Sequence, residues 1–173
     1  MSQSSQARLP SLALLAASLL LPGLCLSADE LVGQPAPDFA LRSWQGENMR
    51  LSEHLGDVVL INFWATWCGP CRQEMPQLDE IYGKYRRAGL VLFSVNLDDS
   101  QNLDDAQEMA KTLKISYPVL ADVRKEVARA YQPSTMPLTV LIDREGVVRY
   151  VSEGYKVGYE ARYTDKLREL LNE

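Results

Sequence analysis

Apolar and polar positions alternate along the chain in blocks that predict strands and helices in turn. Two nearly continuous apolar runs, residues 58–65 and 90–97, have the length and composition of strands buried on both faces. Between them, apolar side chains recur every three or four residues from Met75 to Tyr85, which predicts a helix with one apolar face. Gly89 then stands where such a helix ends. The chain is therefore expected to build an α/β domain.

The same patterns extend the prediction over the rest of the chain. The later elements predicted are a helix over 103–113, a strand over 117–120, a helix over 125–131, strands over 138–142 and 147–151, and a closing helix over 160–171. Ahead of the first buried strand, residues 38–41 and 48–51 flank a turn and predict a small hairpin. Strands that alternate with helices and end in an antiparallel pair predict a mixed central sheet flanked by helices.

The first 28 residues have a different composition and predict a secretory signal peptide. Arg8 supplies a positive start, residues 12–21 are apolar, and small residues follow at Ser27 and Ala28. Cleavage is expected after Ala28, with Ser27 as the alternative. Lipidation of Cys25, or retention of the segment as an uncleaved membrane anchor, remains open.

Charge and cysteine count narrow the possible functions of the remaining domain, residues 29–173. The net charge of the whole chain is −5, and no cluster of Lys or Arg stands out, which argues against nucleic acid or an anionic membrane surface as a partner. The predicted mature domain keeps two cysteines, Cys68 and Cys71. A domain of this length can bury a core without disulfides, so the pair is assigned to chemistry and not to a scaffold.

Cys68 and Cys71 lie where the first buried strand passes into the first helix. Unpaired N–H groups and the helix dipole at such a position stabilise a thiolate and lower the pKa of a cysteine. Pro70 suits a first helical turn, and Gly69 lets a partner chain come close to the sulfurs. The residues predict a reactive, reversible dithiol.

Other uses of two cysteines fit less well. A disulfide across so short a loop would constrain the unfolded chain little. A zinc site would need more ligands than one histidine and one cysteine pair provide. Covalent haem attachment requires a histidine directly after the second cysteine, where this chain has Arg72.

Residues 63–72, Phe-Trp-Ala-Thr-Trp-Cys-Gly-Pro-Cys-Arg, together with Glu74 and Pro76, strongly resemble the thioredoxin superfamily. The predicted signal peptide, the 33–39 lead-in with its hairpin, and the extra helical segment between 97 and 117 resemble its envelope branch, the TlpA/ResA-like thiol–disulfide oxidoreductases. The resemblance implies a thioredoxin-like fold with an N-terminal β-hairpin extension and a helical insertion.

The resemblance also implies roles for individual residues. Cys68 would be the exposed attacking thiol and Cys71 the buried resolving thiol, with no metal or organic cofactor. Pro137 would be cis and face the disulfide; the alternative is an ordinary trans proline at the start of a strand. The residues expected to dock a substrate are Trp67, Gly69, Pro70, Met136 and Pro137.

The chain departs from the thioredoxin pattern at a buried acid. Many thioredoxins carry an acid six residues before the first cysteine, where this chain has Asn62, which cannot take up a proton. In ResA-like relatives an acid after the next strand lies near the thiols, which favours Asp99 and then Asp98, unless these are solvated loop acids or helix caps. Glu74, one turn beyond the second cysteine, is either a second candidate for proton transfer or pKa tuning, or a surface residue.

By resemblance, the expected substrates are envelope protein disulfides, with oxidised cytochrome c apoproteins as one class. A DsbD/CcdA-type membrane thiol reductase would supply electrons, and the protein is expected to be a periplasmic monomer. Two alternatives remain. One is a dithiol chaperone for Cu(I) or haem, because thiolates suit Cu(I). The other is a thiol peroxidase, although the Pro and Thr of that pattern would fall at Ile61 and Ala65.

Overall fold

A computed structural model describes residues 27–172 of the chain. The predicted signal peptide therefore lies outside the described residues, except for Ser27 and Ala28. These two open a 3₁₀ turn, in which the Ser27 N–H donates to Glu30 Oε2 at 2.6 Å and Ala28 is buried. Across residues 27–172, no helix is both long and apolar enough to cross a lipid bilayer.

The centre of the domain is a five-stranded mixed sheet, which confirms the predicted architecture. Its strands are β3 (Val58–Trp64), β4 (Leu90–Asn96), β5 (Val119–Ala121), β6 (Leu138–Ile142) and β7 (Val148–Glu153). Their order across the sheet is β5-β4-β3-β6-β7; β3, β4 and β5 run parallel, and β6 and β7 are antiparallel to their neighbours. The most apolar predicted strand, β3, therefore occupies the middle of the sheet.

The predicted hairpin and helices are also present. Strands β1 (Ala40–Arg42) and β2 (Asn48–Arg50) form the hairpin, and the helices are α1 (Gly69–Tyr85), α2 (Leu103–Thr112), α3 (Glu126–Tyr131) and α4 (Tyr159–Asn172). Helix α2 is the predicted insertion. The hairpin reaches the edge of the sheet at β5, where Ser43 bridges to Leu120.

Alternate side chains of β3 enter two different halves of the core. Ile61 and Phe63 pack with residues of the hairpin and α3, such as Phe39 and Tyr131. On the other face, Leu60 and its neighbours pack against α1 and α4. Both faces are apolar because both are covered, which explains why β3 reads as a continuous apolar run.

The register of the sheet places the single polar residue of β3 opposite a second one. Asn62 is paired with Thr139 of β6 and with Ser94 of β4. Since residues that are directly opposite in a sheet point to the same face, these polar side chains lie together on the α1 side. This buried polar spot lies close to the carboxyl end of β3, where α1 begins.

Candidate active site

The site is built where β3 passes into α1. Cys68 is the N-cap residue of α1, and its Sγ accepts a hydrogen bond from the Cys71 backbone N–H at 3.2 Å. Cys68 and Cys71 are joined in a disulfide. Gly69 and Pro70 form the first helical positions, as the sequence predicts. In the reduced protein the same N–H group and the helix dipole would stabilise a thiolate at Cys68.

Both cysteines are more covered than expected. Cys68 is 4% exposed and Cys71 is 0% exposed. Cys68 is therefore the more exposed of the two cysteines, as predicted, but it is itself a buried residue. The cover is an apolar cluster around the disulfide that includes Trp64, Met75 and part of Met136. Solvent therefore reaches the pair only from the side of Cys68.

The loop before Cys68 is held by a buried carboxylate, that of Asp98. Asp98 Oδ2 accepts the Thr66 backbone N–H at 2.9 Å, and Oδ1 accepts the Thr66 hydroxyl at 2.8 Å. The Asn96 side chain donates to Oδ2 at 2.8 Å, and Asn96 Oδ1 accepts the Asp98 N–H at 3.2 Å. Asp98, at 2% exposure, thus links the end of β4 to the loop that carries the cysteines.

Asp99, which the sequence analysis favoured as the acid near the thiols, lies at the surface. Its carboxylate is 68% exposed and forms an ion pair with Lys125 at 3.2 Å. It does not act as a side-chain helix cap either, because only its backbone carbonyl accepts, from the Asn102 N–H at 2.9 Å. The acid that contacts the cysteine loop is its neighbour, and this one-residue difference is set by how the loop folds back on Asn96.

Glu74 is a buried residue, so the alternative that it lies on the surface is wrong. It is 1% exposed, and its two carboxylate oxygens accept hydrogen bonds from Asn62 Nδ2 at 2.7 Å and Thr139 Oγ1 at 3.0 Å. Asn62 Nδ2 also contacts Thr139 Oγ1 at 3.0 Å. Burial raises the pKa of Glu74 to about 7, although the donors around it, Thr139 first, favour the ionised form.

The thioredoxin-like buried acid is therefore present, but it comes from the helix and not from the strand. Asn62 holds the strand position and acts as a donor to Glu74. A signal for this lay in the sequence: Glu74 is three residues after Cys71 and four before Leu78, both buried, so it lies within the apolar stripe of α1.

Some of the residues expected to dock a substrate lie next to the disulfide. Trp67 is 70% exposed, and Gly69 and Pro70 are exposed beside it. The Met136–Pro137 peptide bond is cis, as the resemblance implied, and Met136 packs against the cluster that contains both cysteines. The Pro137 carbonyl accepts a hydrogen bond from the Gly154 N–H at 2.7 Å.

The described part of the chain contains no group of three or more His, Cys, Asp or Glu residues that could hold a metal ion.

The mixed sheet, the helix that starts at a CxxC disulfide and the cis Met136–Pro137 bond define a thioredoxin-like thiol–disulfide exchange protein. In sequence, residues 32–151 match the AhpC/TSA family. The chain is 36% identical to thiol-disulfide oxidoreductase ResA of Geobacillus kaustophilus over 123 residues, which are 71% of this chain and 70% of ResA. It is also 36% identical over 123 residues to thioredoxin-like protein YneN of Bacillus subtilis, covering 70% of this chain and 71% of YneN.

Solved structures agree with the sequence relatives. A crystal structure described as thiol:disulfide interchange protein DsbE from Chlorobium tepidum superposes with a TM-score of 0.76 at 34% identity, covering 81% of this chain and 97% of that one. The protein belongs to the AhpC/TSA family and has its thioredoxin-like fold. It is a thiol–disulfide oxidoreductase, an enzyme class that uses its own redox-active disulfide, here Cys68–Cys71, and no other cofactor.

Replacing the buried carboxyl by an amide, Glu74→Gln, should remove a pH dependence of folding stability. The pKa of Glu74 in the folded protein is about 7, above its ordinary 4.5, so the folded state holds this proton more tightly than the unfolded state. Stability that is fully present below pH 4.5 is therefore lost as the pH rises through 7. The loss in the wild type amounts to about 3 kcal/mol.

Denaturant unfolding of the oxidised proteins between about pH 4 and pH 8 measures this difference. The matched control is Glu80→Gln, which changes an exposed glutamate of the same helix and should leave the wild-type pH dependence intact. Curves for Glu74→Gln and wild type that stay parallel over this range would show that Glu74 does not titrate as described.

The two neighbouring acids after β4 should differ sharply in their effect on stability. Asp98→Ala leaves the Thr66 N–H and hydroxyl and the Asn96 amide without their acceptor, so it should cost about 3 kcal/mol. Asp99→Ala removes an exposed ion pair and should cost less than about 1 kcal/mol. The free energy of unfolding of the two variants tests this, and equal losses would contradict the assignment of Asp98 to the cysteine loop.

Proposed function

We propose that this oxidoreductase reduces protein disulfides in the bacterial cell envelope, with Cys68 as the attacking thiol and Cys71 as the resolving thiol. The observation that carries the assignment is the unequal placement of the two sulfurs. Cys68 caps α1 and accepts a backbone N–H, whereas Cys71 is fully buried one turn into the site. A thiolate is favoured at the first position and a protonated thiol at the second.

The reaction follows from this asymmetry. The Cys68 thiolate attacks a substrate disulfide, forms a mixed disulfide and displaces one substrate sulfur, which takes a proton from water. Cys71 then loses its proton and attacks Cys68, so the second substrate sulfur leaves and the internal disulfide forms. Two electrons pass from the protein to the substrate.

Glu74 is our candidate for the group that receives the proton of Cys71. It lies one helical turn beyond Cys71, on the same buried stripe of α1. A carboxyl with a pKa of about 7 can both accept and release a proton near neutral pH, which suits a general base that must be reset after each turnover. The loop acid Asp99 is not retained in this role, because it faces solvent beside Lys125.

The proposed docking surface consists of Trp67, Gly69, Pro70, Met136 and Pro137. Exposed Trp67 offers an apolar contact next to Cys68, and Gly69 leaves room for an approaching chain. An extended substrate segment would lie along the backbone at Met136, beside the cis proline. Such a surface binds a peptide around a disulfide without requiring one particular sequence.

The envelope location rests on the predicted signal peptide of residues 1–28. A periplasmic reductase must be re-reduced, and a membrane thiol reductase of the DsbD/CcdA type is the proposed electron donor. Oxidised apocytochromes c are the proposed substrates, which would give the protein a role in cytochrome c maturation. The similarity to proteins called ResA and DsbE supports these proposals. We propose a monomer.

Two other functions have less support. A Cu(I) or haem chaperone would use both thiolates as ligands, but Cys71 is fully buried in the apolar cluster that contains Trp64 and Cys68. A thiol peroxidase would need a proline and a threonine where buried Ile61 and Ala65 stand, so it would lack the hydroxyl that such a site uses. Metal content of the purified protein and peroxide turnover measure these two functions directly.

The Cys71→Ser variant should accumulate mixed disulfides, because the attacking thiol remains and the resolving thiol is gone. Expressed with the predicted signal peptide and analysed on non-reducing gels, the variant should carry substrate proteins joined to Cys68. Cys68→Ser is the matched control and should trap little. If Cys68→Ser trapped substrate proteins and Cys71→Ser did not, the two roles would be reversed, and no trapping above wild type by either variant would argue against a two-cysteine cycle.

A further inference from the structure

The loop that leads into the cis proline is held by a carboxylate of the neighbouring strand. Glu153, the last residue of β7, accepts the Ser134 backbone N–H at Oε1 at 2.9 Å and the Ser134 hydroxyl at Oε2. The next residue, Gly154, donates its N–H to the Pro137 carbonyl at 2.7 Å. Two consecutive residues of the chain therefore fix both ends of one short stretch, residues 134–137, which we call the docking segment.

The register of the sheet explains how Glu153 reaches this segment. Glu153 lies opposite Leu138, the first residue of β6. Residues that are directly opposite in a sheet point to the same face, and Leu138 packs on the face that α3 covers. Helix α3 ends at Tyr131, and Ser134 follows three residues later. The side chain of Glu153 is therefore on the correct face to contact the loop after α3.

The middle of the docking segment is free to pair with another chain. Within residues 27–172, the backbone N–H and C=O groups of Thr135 and Met136 make no hydrogen bond. Thr135 is exposed and Met136 is half-buried. An extended substrate strand would pair with such backbone groups. The hydrogen bonds at the two ends of the segment hold these groups in place, and Glu153 supplies those at the first end.

The carboxylate of Glu153 is used for this contact alone. Among the described residues it forms no ion pair, and both of its oxygens accept from Ser134. A hydrogen bond to an ionised acceptor is roughly twice as strong as one between neutral groups, so a carboxylate holds the serine more firmly than an amide would. The acid is therefore suited to fixing the docking segment.

We propose that Glu153 is a positioning residue for polypeptide substrates, because it holds Ser134 so that the Thr135–Met136 backbone is presented to an extended substrate strand. The inference rests on the proposed docking surface at Met136 and Pro137. Glu153 contacts Ser134 and neither sulfur, so it should change how tightly a polypeptide binds and leave the exchange reaction itself unchanged. A small disulfide without a peptide backbone should not depend on Glu153.

Glu153→Ala removes both acceptors and tests the proposal. The reduced protein is mixed with a synthetic peptide that carries an oxidised Cys-x-x-Cys-His sequence between longer flanks, or with hydroxyethyl disulfide, and tryptophan fluorescence follows its oxidation. For the peptide, the half-saturating concentration should rise on the order of tenfold and the limiting rate should stay within about twofold, because only preorganisation of the docking segment is lost. The rate with hydroxyethyl disulfide should equal that of the wild type.

Asp79 of α1 offers a matched control. Asp79 Oδ1 accepts the Ser116 N–H at 2.7 Å and the Ser116 hydroxyl at 2.8 Å, and both pairs combine a half-buried acid with an exposed serine. Asp79→Ala therefore removes the same two kinds of hydrogen bond, more than two helical turns beyond Cys71. It should lose a similar amount of stability and keep the wild-type half-saturating concentration. Equal increases in Asp79→Ala and Glu153→Ala would overturn the proposal.

Glu153→Gln keeps the proposal testable if Glu153→Ala does not fold. Glutamine retains one acceptor but turns an N–H₂ group toward the second donor of Ser134, so its half-saturating concentration should lie above that of the wild type and below that of Glu153→Ala. A wild-type value in Glu153→Gln and in any folded Glu153→Ala would overturn the proposal. Failure of the proposed function gives a different result: the wild type would react with hydroxyethyl disulfide but would not saturate with the peptide, which would reject docking at Met136 and the role of Glu153 with it.

Discussion

The buried hydrogen bonds between Glu74, Asn62 and Thr139 are the contact on which the site depends. They join the first helix to the two central strands that lie beneath it, at 2.7 to 3.0 Å, in a region otherwise filled by apolar side chains. A carboxyl is costly to bury, and two donors offset only part of that cost. The result is a group whose pKa of about 7 lies where thiol chemistry operates.

This arrangement makes the two ends of a short CxxC segment electrostatically different. Cys68 lies at the positive end of α1 and accepts an N–H, while Cys71 is fully buried in an apolar cluster, one helical turn before Glu74. Asp98 holds the loop before Cys68 in place, because its carboxylate accepts two hydrogen bonds from Thr66. The sheet, the loop and the helix thus each contribute one constraint to the same pair of sulfurs.

Local patterns in the sequence predict most of the fold. The run that becomes β3 is apolar because both of its faces are covered, and α1 shows its stripe every three or four residues. The CxxC motif at their junction is enough to predict a dithiol, and the resemblance to thioredoxins implied the cis bond at Pro137, which is present. These features depend on residues that are close in sequence.

Features that depend on distant residues were harder to predict. Glu74 could be read as a surface residue because its partner Thr139 lies 65 residues away, and only the β3–β6 register brings Asn62 between them. Asp98 and Asp99 are adjacent acids, and no local pattern indicates which one turns toward Thr66. That choice is made by the Asn96 side chain, which binds the Asp98 backbone and carboxylate.

The midpoint potential of the Cys68–Cys71 pair, measured against glutathione as a function of pH, tests most directly whether Glu74 is coupled to the thiols. In the reduced protein the Cys68 thiolate should raise the pKa of Glu74 above its value of about 7 in the oxidised protein. Between those two pKa values, reduction takes up one further proton, so the potential of the wild type should fall about 30 mV per pH unit more steeply than that of Glu74→Gln. Parallel lines for the two proteins from about pH 6 to about pH 9 would contradict the coupling.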